Sequence, residues 1–376
     1  MTASAPLIVL AAGGTGGHVF PAQALASELT KRGMRAALVT DARGSAHGEG
    51  VSEVFRIRAG GLAGKGIGAR IRGVAQLGLG TLQAKKLLKQ LDPGVVVGFG
   101  GYASVPTMLA ARFAGFRTAI HEQNAILGRA NRLLAGKAAR IATSFERVQA
   151  VPGTGTEKVV HTGMPVRPTV AAMRDRDYPA LDGDGPINLL ILGGSQGAHV
   201  FSAVVPEAVV QLPEELRVRL HITQQCRPED LQAASEAYRN MGVSAELSTF
   251  FSDVPERLAS AHLMIARSGA STVAELLAVG RPAILVPYPY AVDDHQTYNG
   301  HAVAEAGAGW LMDQDVFTPD AVAERLRSLF ELPATLQRAA QAARDASRID
   351  AAVRLADMVC ELLPSNGGAE SGRKGA

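Results

Sequence analysis

The chain contains few cysteines and carries little net charge, and both shortages exclude functional classes. Among its 376 residues are two cysteines, Cys226 and Cys360, in no paired motif, which disfavours a structural disulfide or a zinc site. The net charge is only +3, so the overall charge gives no reason to expect a nucleic-acid partner. Hydrophobic residues make up 47% and charged residues 19%, which is the composition of a folded protein with large cores.

The sequence also lacks an uninterrupted apolar segment suited to crossing a membrane. No Asp, Glu, Lys or Arg precedes Glu28, but the glycine-rich stretch GGTGGH interrupts this run and no basic segment precedes it, unlike in a signal peptide. A second uncharged stretch, at 94–111, contains glycines and a proline that predict a strand, a turn and a helix. We therefore expect no transmembrane segment.

Strand-like and helix-like segments alternate along the chain, a pattern typical of parallel sheets with crossover helices. The predicted strands are 7–12, 36–40, 54–57, 95–98, 118–121 and 139–143 in the first half, and 187–192, 218–223, 246–250, 263–266 and 283–286 in the second. The longest predicted helix covers 67–91. The sequence therefore predicts an α/β fold with two doubly wound sheets.

A change in composition separates the two halves. The segment 165–186 is rich in proline and contains a short acidic, glycine-containing run, which indicates a linker. The predicted division is an N-terminal domain at 1–165, a linker at 166–186, a C-terminal domain at 187–345, a helix at 346–363 that returns to the N-terminal domain, and a disordered tail at 364–376.

Two glycine clusters each follow an uncharged, β-rich run and precede a helical pattern. They are GGTGGH at 13–18 and GGSQGA at 193–198. Glycine lets backbone N–H groups approach a ligand, and the positive end of the next helix attracts an anion such as a diphosphate. The first cluster has Val19 where the dinucleotide fingerprint needs its third glycine, and no P-loop lysine follows. Two such turns predict two nucleotide-binding-type domains that face each other across a ligand cleft.

Polar motifs follow several other predicted strands, at the edge where doubly wound sheets bind ligands. GFGGYASVP at 98–106 suits an anion, HEQN at 121–124 combines an imidazole, a carboxylate and an amide, RSGASTVAE at 267–275 places an acid one turn into a helix, and PYPYAVDDHQTYN at 287–299 offers many hydrogen-bonding groups to a sugar. Each has a structural alternative: an ordinary strand-to-helix turn, a polar network between loops, a capping-box acid or a solvated helix start.

Together and in this order, several motifs resemble those of the MurG family, the inverting glycosyltransferases of bacterial peptidoglycan synthesis in glycosyltransferase family 28. They are GGTGGHVFPA, GGYASVP, HEQN, GMPVR, GGSQGA, RSGASTVAELL and DDHQTYN, and they span nearly the whole chain. The resemblance implies a GT-B fold, in which two Rossmann-like domains face each other across a cleft. It implies UDP-N-acetylglucosamine as the donor, lipid I (undecaprenyl-diphosphate-N-acetylmuramoyl-pentapeptide) as the acceptor and lipid II as the product.

The resemblance also implies roles for individual residues. The N-terminal domain would meet the acceptor, and its Thr15, Gly16, Gly17 and Asn124 would contact the donor. Arg167 would lie near the donor, Ser195 would bind the diphosphate, and Phe251 would offer backbone groups to uracil. Gln296 would bind the sugar. The residues around the ribose and phosphates would be Ala270, Ser271, Thr272, Val273, Ala274 and Glu275. The chain departs from the family pattern at Met164, where asparagine is common, and at His295, where some members have glutamine.

An inverting transfer removes a proton from the attacking hydroxyl and stabilises the departing UDP. We expect His18 to be the general base, tuned by Glu122, because imidazole exchanges protons near neutral pH. The alternative is a helix-capping or loop histidine. A helix N-terminus and Ser195 would offset the diphosphate charge, so no metal or other cofactor is expected.

A lipid-linked acceptor implies a peripheral protein at the cytoplasmic face of the bacterial inner (plasma) membrane, with other cell-wall synthesis proteins as further partners. The segment 64–89 combines apolar and basic residues, as interfacial surfaces do. Its members are Ile67, Ile71, Val74, Leu77 and Leu79 with Lys65, Arg70, Arg72, Lys85, Lys86 and Lys89. The alternative is an ordinary amphipathic helix packed on its own sheet.

Other functions stay open on the sequence alone. One is a related UDP-sugar glycosyltransferase with another acceptor. Another is a UDP-sugar epimerase, which would share the fold and the donor but would need no acceptor. A dinucleotide oxidoreductase is disfavoured by the missing third glycine. A non-catalytic binding protein is disfavoured by the polar residues that follow so many strands.

Overall fold

The computed structural model describes residues 5–13, 16–41, 50–59, 67–181, 183–194 and 197–364. The chain divides into two compact units, one made of Met1–Pro165 with Asp350–Ala376 and the other of Val166–Ile349. Two predicted site residues, Thr15 and Ser195, lie outside the described residues, as does the predicted tail from residue 365 onward.

Within the described residues, the first unit contains a seven-stranded sheet in which all neighbouring strands run parallel. Its strands are β1 (Leu7–Ala11), β2 (Arg35–Thr40), β3 (Glu53–Arg56), β4 (Val95–Gly98), β5 (Arg117–Glu122), β6 (Arg140–Thr143) and β7 (Val159–His161). Their order is β3-β2-β1-β4-β5-β6-β7, so the direction of winding reverses between β1 and β4. Ligands bind beyond the carboxyl ends of the strands at such a switch point.

Helices cover this sheet because its strands are apolar on both faces. All five residues of β1 and all four of β4 are buried. The helices are α1 (Gly16–Lys31), α2 (Ile67–Leu91), α3 (Ser104–Phe113) and α4 (Arg129–Ala135). None of the helices in the described part of the chain has the length and hydrophobicity that a bilayer span needs.

The second unit contains a six-stranded parallel sheet within its described residues. Its strands are β8 (Ile187–Leu192), β9 (Leu220–Gln225), β10 (Ser244–Ser248), β11 (Leu263–Ala266), β12 (Ala283–Leu285) and β13 (Gly309–Leu311), in the order β10-β9-β8-β11-β12-β13. The switch point therefore lies between β8 and β11. The helices are α5 (Pro168–Ala171), α6 (His199–Val210), α7 (Glu214–Arg217), α8 (Leu231–Asn240), α9 (Val254–Ser260), α10 (Ala270–Val279), α11 (His295–Glu305), α12 (Pro319–Glu331) and α13 (Pro333–Ala346).

The last helix, α14 (Ala351–Cys360), belongs to the first unit although it follows the second in sequence. Its Leu355 and Val359 are buried in the apolar core around β1. At the surface, Arg32 of α1 donates to the Asp357 carboxylate over 2.6 Å. The helix therefore completes the core of the first unit.

The predicted linker 166–186 is packed against the second unit instead of spanning freely between domains. The hydroxyl of Tyr178 donates to the carbonyl of His262 over 2.8 Å, and Arg174 donates to the carbonyl of Ala278 over 3.2 Å. The proline-rich composition does not show that the segment contains α5 or that polar side chains hold it in place.

Arg281 joins this segment to the core of the second unit. Its side chain is fully buried, and burial lowers its pKa to about 10. Instead of a carboxylate, backbone carbonyls surround the guanidinium group, those of Ala259, Val279, Gly280 and Asp177. These oxygens replace the water that a buried cation loses.

We expect Arg281→Met to destabilise the second unit strongly, because the carbonyls would keep their burial and lose their donor. The expected loss of unfolding free energy is about 3 kcal/mol, measured by chemical denaturation. Arg338→Met, at an exposed position of α13, is the matched control and should cost less than about 0.5 kcal/mol. Equal losses in the two variants would contradict this account of Arg281.

Candidate functional site

The predicted site residues of the first unit lie at the carboxyl ends of β1, β4 and β5. Gly13 follows β1, and Gly100 and Gly101 follow β4 with φ angles of 82° and 73°. His121 and Glu122 are the last residues of β5. Because β1 and β4 are neighbours at the switch point, the two glycine turns meet there.

His18 lies in the first turn of α1, and its ring rests against both glycine turns. A Cβ atom added at Gly13, Gly100 or Gly101 would lie 3.5, 3.6 or 3.1 Å from the nearest ring atom. At Gly101 that distance is tighter than ordinary contact, and the positive φ also favours glycine. The glycines therefore leave the space that the imidazole occupies.

One side chain within hydrogen-bond distance of this imidazole is that of Gln123, the third residue of HEQN. Its Nε2 lies 2.5 Å from His18 Nδ1 and donates to the backbone carbonyl of Phe99 over 3.0 Å. The sequence predicts that Glu122 tunes the ring, and it does not single out Gln123. The motif contained the residue, but the turn after β5 decides which of its side chains reaches His18.

The carboxylate of Glu122 is buried and organises the loop that follows β5. Its Oε1 accepts from the backbone and side-chain nitrogens of Asn124 over 3.0 and 3.2 Å. Its Oε2 accepts from the backbone of Gly128 and the amide of Asn131, each over 2.8 Å. Glu122 therefore positions the predicted donor-binding residue Asn124, a task that the prediction of a tuning role did not include.

His121 is completely buried and contacts the ring of Phe99, with 5.5 Å between the two ring centroids. Burial lowers the pKa of His121 to about 4, and the nearby His18 also lowers it. His121 is therefore neutral at neutral pH, and it adds no charge next to His18.

In the second unit, the N-terminal turn of α10 lies beside the switch point between β8 and β11. Its first N–H groups have no acceptor within the helix, and the helix dipole makes this end positive, so it suits a phosphate. Of the predicted contacts there, Val273 is buried and the others are partly exposed: Ala270, Ser271, Thr272, Ala274 and Glu275.

The glycine turn after β8 approaches its own backbone closely before α6 begins. A Cβ atom at Gly193 would lie 2.2 Å from the backbone nitrogen of Ala198. Gly194 and Gly197 have φ angles of 84° and 71°. The close approach and the positive φ angles at these positions favour glycine. The turn lies at the switch point between β8 and β11, as the sequence predicts.

Arg167 and Glu275 are in direct contact, which their separation in sequence did not reveal. Arg167 Nε lies 2.9 Å from Oε1 of Glu275, and Nη2 lies 3.1 Å from Oε2. Two parallel bonds of this kind fix the orientation of a carboxylate. A ribose that binds Glu275 must therefore share the carboxylate with Arg167 or displace it.

Phe251 is buried after β10 and lies under a guanidinium group. The Cζ atom of Arg257 is 4.3 Å from the ring centroid of Phe251. Arg257 also binds Glu246 over 2.6 Å and Asp253 over 2.8 Å, and these hydrogen bonds lower the pKa of both carboxyl groups. Arg257, which the sequence reasoning missed, thus holds the segment that carries Phe251.

Gln296 lies in the first turn of α11, where its Oε1 accepts from the backbone nitrogen of Tyr288 over 2.9 Å. Arg267 also holds this loop: it donates to the carbonyl of Pro287 over 2.9 Å and to the side chain of Gln314 over 2.6 Å. The amide nitrogen of Gln296 is thereby placed to donate to a ligand.

The structure also shows the surroundings of Met164, of the two cysteines and of the side chains that could bind a metal ion. Met164, at the departure from the family pattern, is buried. Cys226 is buried and Cys360 partly buried, both as free thiols. In the described part of the chain, no three His, Cys, Asp or Glu side chains cluster in a way that could hold a metal ion.

The burial of His121 predicts a pH dependence of stability. The pKa of His121 in the folded protein is about 4, below the ordinary value of 6.5. As the pH falls from 6.5 toward 4, this histidine therefore takes up a proton in the unfolded chain before it does so in the folded protein. The unfolding free energy therefore decreases from pH 6.5 toward 4, and His121 accounts for on the order of 3 kcal/mol of the loss.

Denaturation of His121→Gln at about pH 7 and about pH 4.5 should show a smaller decrease than the wild type. His301→Gln, at an exposed position of α11, is the control and should follow the wild type. An unchanged decrease in His121→Gln would refute the assignment.

Comparison with known proteins follows the same division into halves. Residues 8–143 match the glycosyltransferase family 28 N-terminal domain, and residues 188–355 match the glycosyltransferase family 28 C-terminal domain. The UDP-N-acetylglucosamine--N-acetylmuramyl-(pentapeptide) pyrophosphoryl-undecaprenol N-acetylglucosamine transferase of Paramagnetospirillum magneticum is 59% identical over 371 residues, which cover 98% of this chain and 100% of that protein. The enzyme of the same name from Rhodospirillum rubrum is 56% identical over 359 residues, which cover 95% of this chain and 92% of that protein.

Among solved structures, MurG of Acinetobacter baumannii is similar with a TM-score of 0.78 and 29% identity, covering 95% of this chain and 99% of that chain. This likeness and the two matched domains confirm the predicted GT-B fold class. They also confirm the resemblance that the ordered motifs indicated. The chain belongs to glycosyltransferase family 28.

Proposed function

We propose that this enzyme transfers N-acetylglucosamine from UDP-N-acetylglucosamine to lipid I, giving lipid II with inversion at the anomeric carbon. The observation that carries the proposal is the 59% identity over 98% of the chain to a relative whose name states this donor and a pyrophosphoryl-undecaprenol acceptor. The glycine turns and helix N-termini at the two switch points support it, because both substrates contain a diphosphate.

The donor would bind the second unit. Its diphosphate would meet the backbone of the glycine turn after β8, with Ser195, and the N-terminus of α10. The carboxylate of Glu275 would accept from the ribose hydroxyls, Phe251 would offer backbone groups to uracil, and the amide of Gln296 would bind the sugar. Backbone N–H groups then offset the charge of the leaving UDP, so we propose that no metal ion is required.

The first unit would present the acceptor. His18 would contact the reacting groups from the switch point between β1 and β4, and Asn124 would reach the donor sugar from the loop that Glu122 holds. Thr15, Gly16 and Gly17 would touch the donor from the same side. The reaction forms the bond from the acceptor oxygen to the anomeric carbon as the bond to UDP breaks.

Incubation of the full-length enzyme with labelled UDP-N-acetylglucosamine and a short-chain lipid I analogue tests this proposal. We expect a β-linked disaccharide product and one UDP released for each acceptor consumed. Consumption or epimerisation of the donor without an acceptor would favour the epimerase instead. Transfer to other lipid or soluble acceptors, with none to the lipid I analogue, would favour a related transferase.

His18→Ala should reduce turnover far more than donor affinity, because His18 belongs to the acceptor side of the reaction. We expect kcat to fall about 100-fold while the donor KM stays within about twofold. Steady-state kinetics with the same acceptor measure both values, and His301→Ala serves as the control. An unchanged turnover number would remove His18 from the catalytic site.

We also propose that the enzyme binds the cytoplasmic face of the inner membrane through α2. One face of α2 is in the core, where Ala84 and Leu88 are fully buried. Another face of α2 exposes the apolar side chains of Val74, Leu79 and Leu82, which are 60%, 47% and 66% exposed. Lys85, Lys86 and Lys89 follow on the same helix. The side chains of the predicted members Lys65, Ile67, Arg70 and Ile71 are outside the described residues.

Replacing Lys85, Lys86 and Lys89 by glutamate should abolish binding to vesicles that contain anionic phospholipids, since each lysine contributes about 1 kcal/mol near such a surface. Co-sedimentation measures the bound fraction. The same replacement of Lys31, Lys137 and Lys158 changes the net charge equally and should leave binding largely intact. Equal binding by all three proteins would exclude the membrane role of α2 and leave an amphipathic helix.

A further inference from the structure

We propose that Arg227, in the loop between β9 and α8, binds a phosphate group of the nucleotide in the second unit. The residue lies outside the motifs that the sequence singles out, and outside the glycine turns and helix N-termini of the candidate site. The identity of the ligand rests on the proposed function, whereas the arrangement of the loop does not depend on it.

The order of the strands places Arg227 next to the glycine turn after β8. In the sheet, β9 is the neighbour of β8 on one side and β11 is its neighbour on the other. Arg227 follows β9, and Arg267 follows β11. The glycine turn after β8 therefore lies between two arginines at the carboxyl edge of the sheet, where ligands bind.

The loop that carries Arg227 packs directly against this glycine turn. A Cβ atom added at Gly197 would lie 3.2 Å from Cγ of Arg227 and 3.2 Å from its backbone nitrogen. On the other side of the loop, the backbone nitrogen of Cys226 donates to the carbonyl of Ser248 over 2.9 Å. These contacts hold the loop between the glycine turn and the segment that leads to Phe251.

The guanidinium group of Arg227 has an unused donor. Its Nε is buried and has no hydrogen-bond partner in the part of the chain that the structure describes. Its Nη1 lies 3.9 Å from a carboxylate oxygen of Glu229, and the two side chains are 40% and 65% exposed, so this ion pair contributes little. A buried N–H without an acceptor is unfavourable, and an oxygen from outside the chain would satisfy it.

The buried carboxylate of Asp230, three residues further along, does not use this donor. Its Oδ1 lies 2.7 Å from Nδ1 of His199, in the first turn of α6. Its Oδ2 is buried without a hydrogen-bond partner among the described residues, so it accepts nothing from Arg227. Asp230 therefore holds His199 and leaves the guanidinium group of Arg227 available to a ligand.

The charges around the glycine turn favour an anion. Burial lowers the pKa of Arg267, and the nearby positive charge of Arg227 lowers it as well. Arg267 donates to the carbonyl of Pro287 and to the side chain of Gln314, which are neutral groups. An anion placed near both guanidinium groups would relieve their repulsion, and the planar fork of Arg227 matches two oxygens of a phosphate.

A phosphate bound by Arg227 would have its charge offset by a fixed cation in addition to backbone N–H groups. During transfer, the bond from the anomeric carbon to the phosphate oxygen breaks, and its electron pair stays on UDP as the acceptor oxygen forms the new bond. Since the charge of UDP increases in this step, Arg227 would stabilise the leaving group as well as the bound donor.

Titrations of the full-length enzyme with UDP, followed by calorimetry, and with uridine, followed by NMR, test this contact. Arg227→Met keeps an unbranched side chain against Gly197 and removes the guanidinium group. We expect it to bind UDP about tenfold more weakly, the loss of a charge-assisted hydrogen bond, while its affinity for uridine stays within about twofold of the wild type.

The matched control is Arg239→Met, at an exposed position of α8, which removes the same charge from the same unit and should bind UDP like the wild type. Unchanged UDP affinity in Arg227→Met would overturn the inference. An equal loss of affinity for UDP and uridine would also overturn it, because a disturbed loop weakens both ligands and a missing phosphate contact weakens only UDP.

The same titrations separate this inference from the proposed function. A wild-type enzyme that does not bind UDP would refute the proposed donor and the inference together. UDP binding that depends on Arg227, in an enzyme that fails the transfer assay, would support the inference and refute only the proposed function. Should Arg227→Met not fold, Arg227→Lys keeps the charge and loses Nε–H, and UDP affinity equal to that of the wild type would then overturn the inference.

Discussion

The close approach of two glycine turns at the switch point of the first sheet is the constraint on which the candidate site depends. A parallel sheet brings the carboxyl ends of β1 and β4 side by side, and glycine lets their loops converge without side chains between them. The space left at Gly13 and Gly101 is filled by the ring of His18. A side chain at Gly101 would place its Cβ atom 3.1 Å from the ring of His18, and the positive φ angle would strain its backbone.

The second unit has a glycine turn at a switch point as well. Its turn after β8 and the N-terminus of α10 present backbone nitrogens, with the carboxylate of Glu275 beside them. In the proposed function, the backbone nitrogens would meet the charged diphosphate of a nucleotide, and the carboxylate would meet the hydroxyls of its ribose. Arg167 holds this carboxylate in one orientation through two hydrogen bonds, so a ribose that binds Glu275 must share the carboxylate or displace Arg167.

Much of the fold could be predicted because buried parallel strands consist largely of uncharged residues, which are visible in the sequence as short apolar runs. The strands missed were β7 and β13, both three residues long and both at a sheet edge, where apolar patterning is weakest. The candidate site was predicted as motifs but not as contacts. The pairing of Arg167 with Glu275 and the choice of Gln123 as the partner of His18 depend on how separate loops come together, and single motifs carry no information about that.

In the proposed function, backbone groups at the carboxyl edge of the second sheet hold the nucleotide of the donor. Amide hydrogen exchange of the full-length enzyme, with and without UDP, tests this directly because it reports on the backbone itself. With UDP bound, we expect slower exchange in the first turn of α10 and in the segment 251–257. Slower exchange confined to the glycine turns of the first unit, with α10 unchanged, would contradict it.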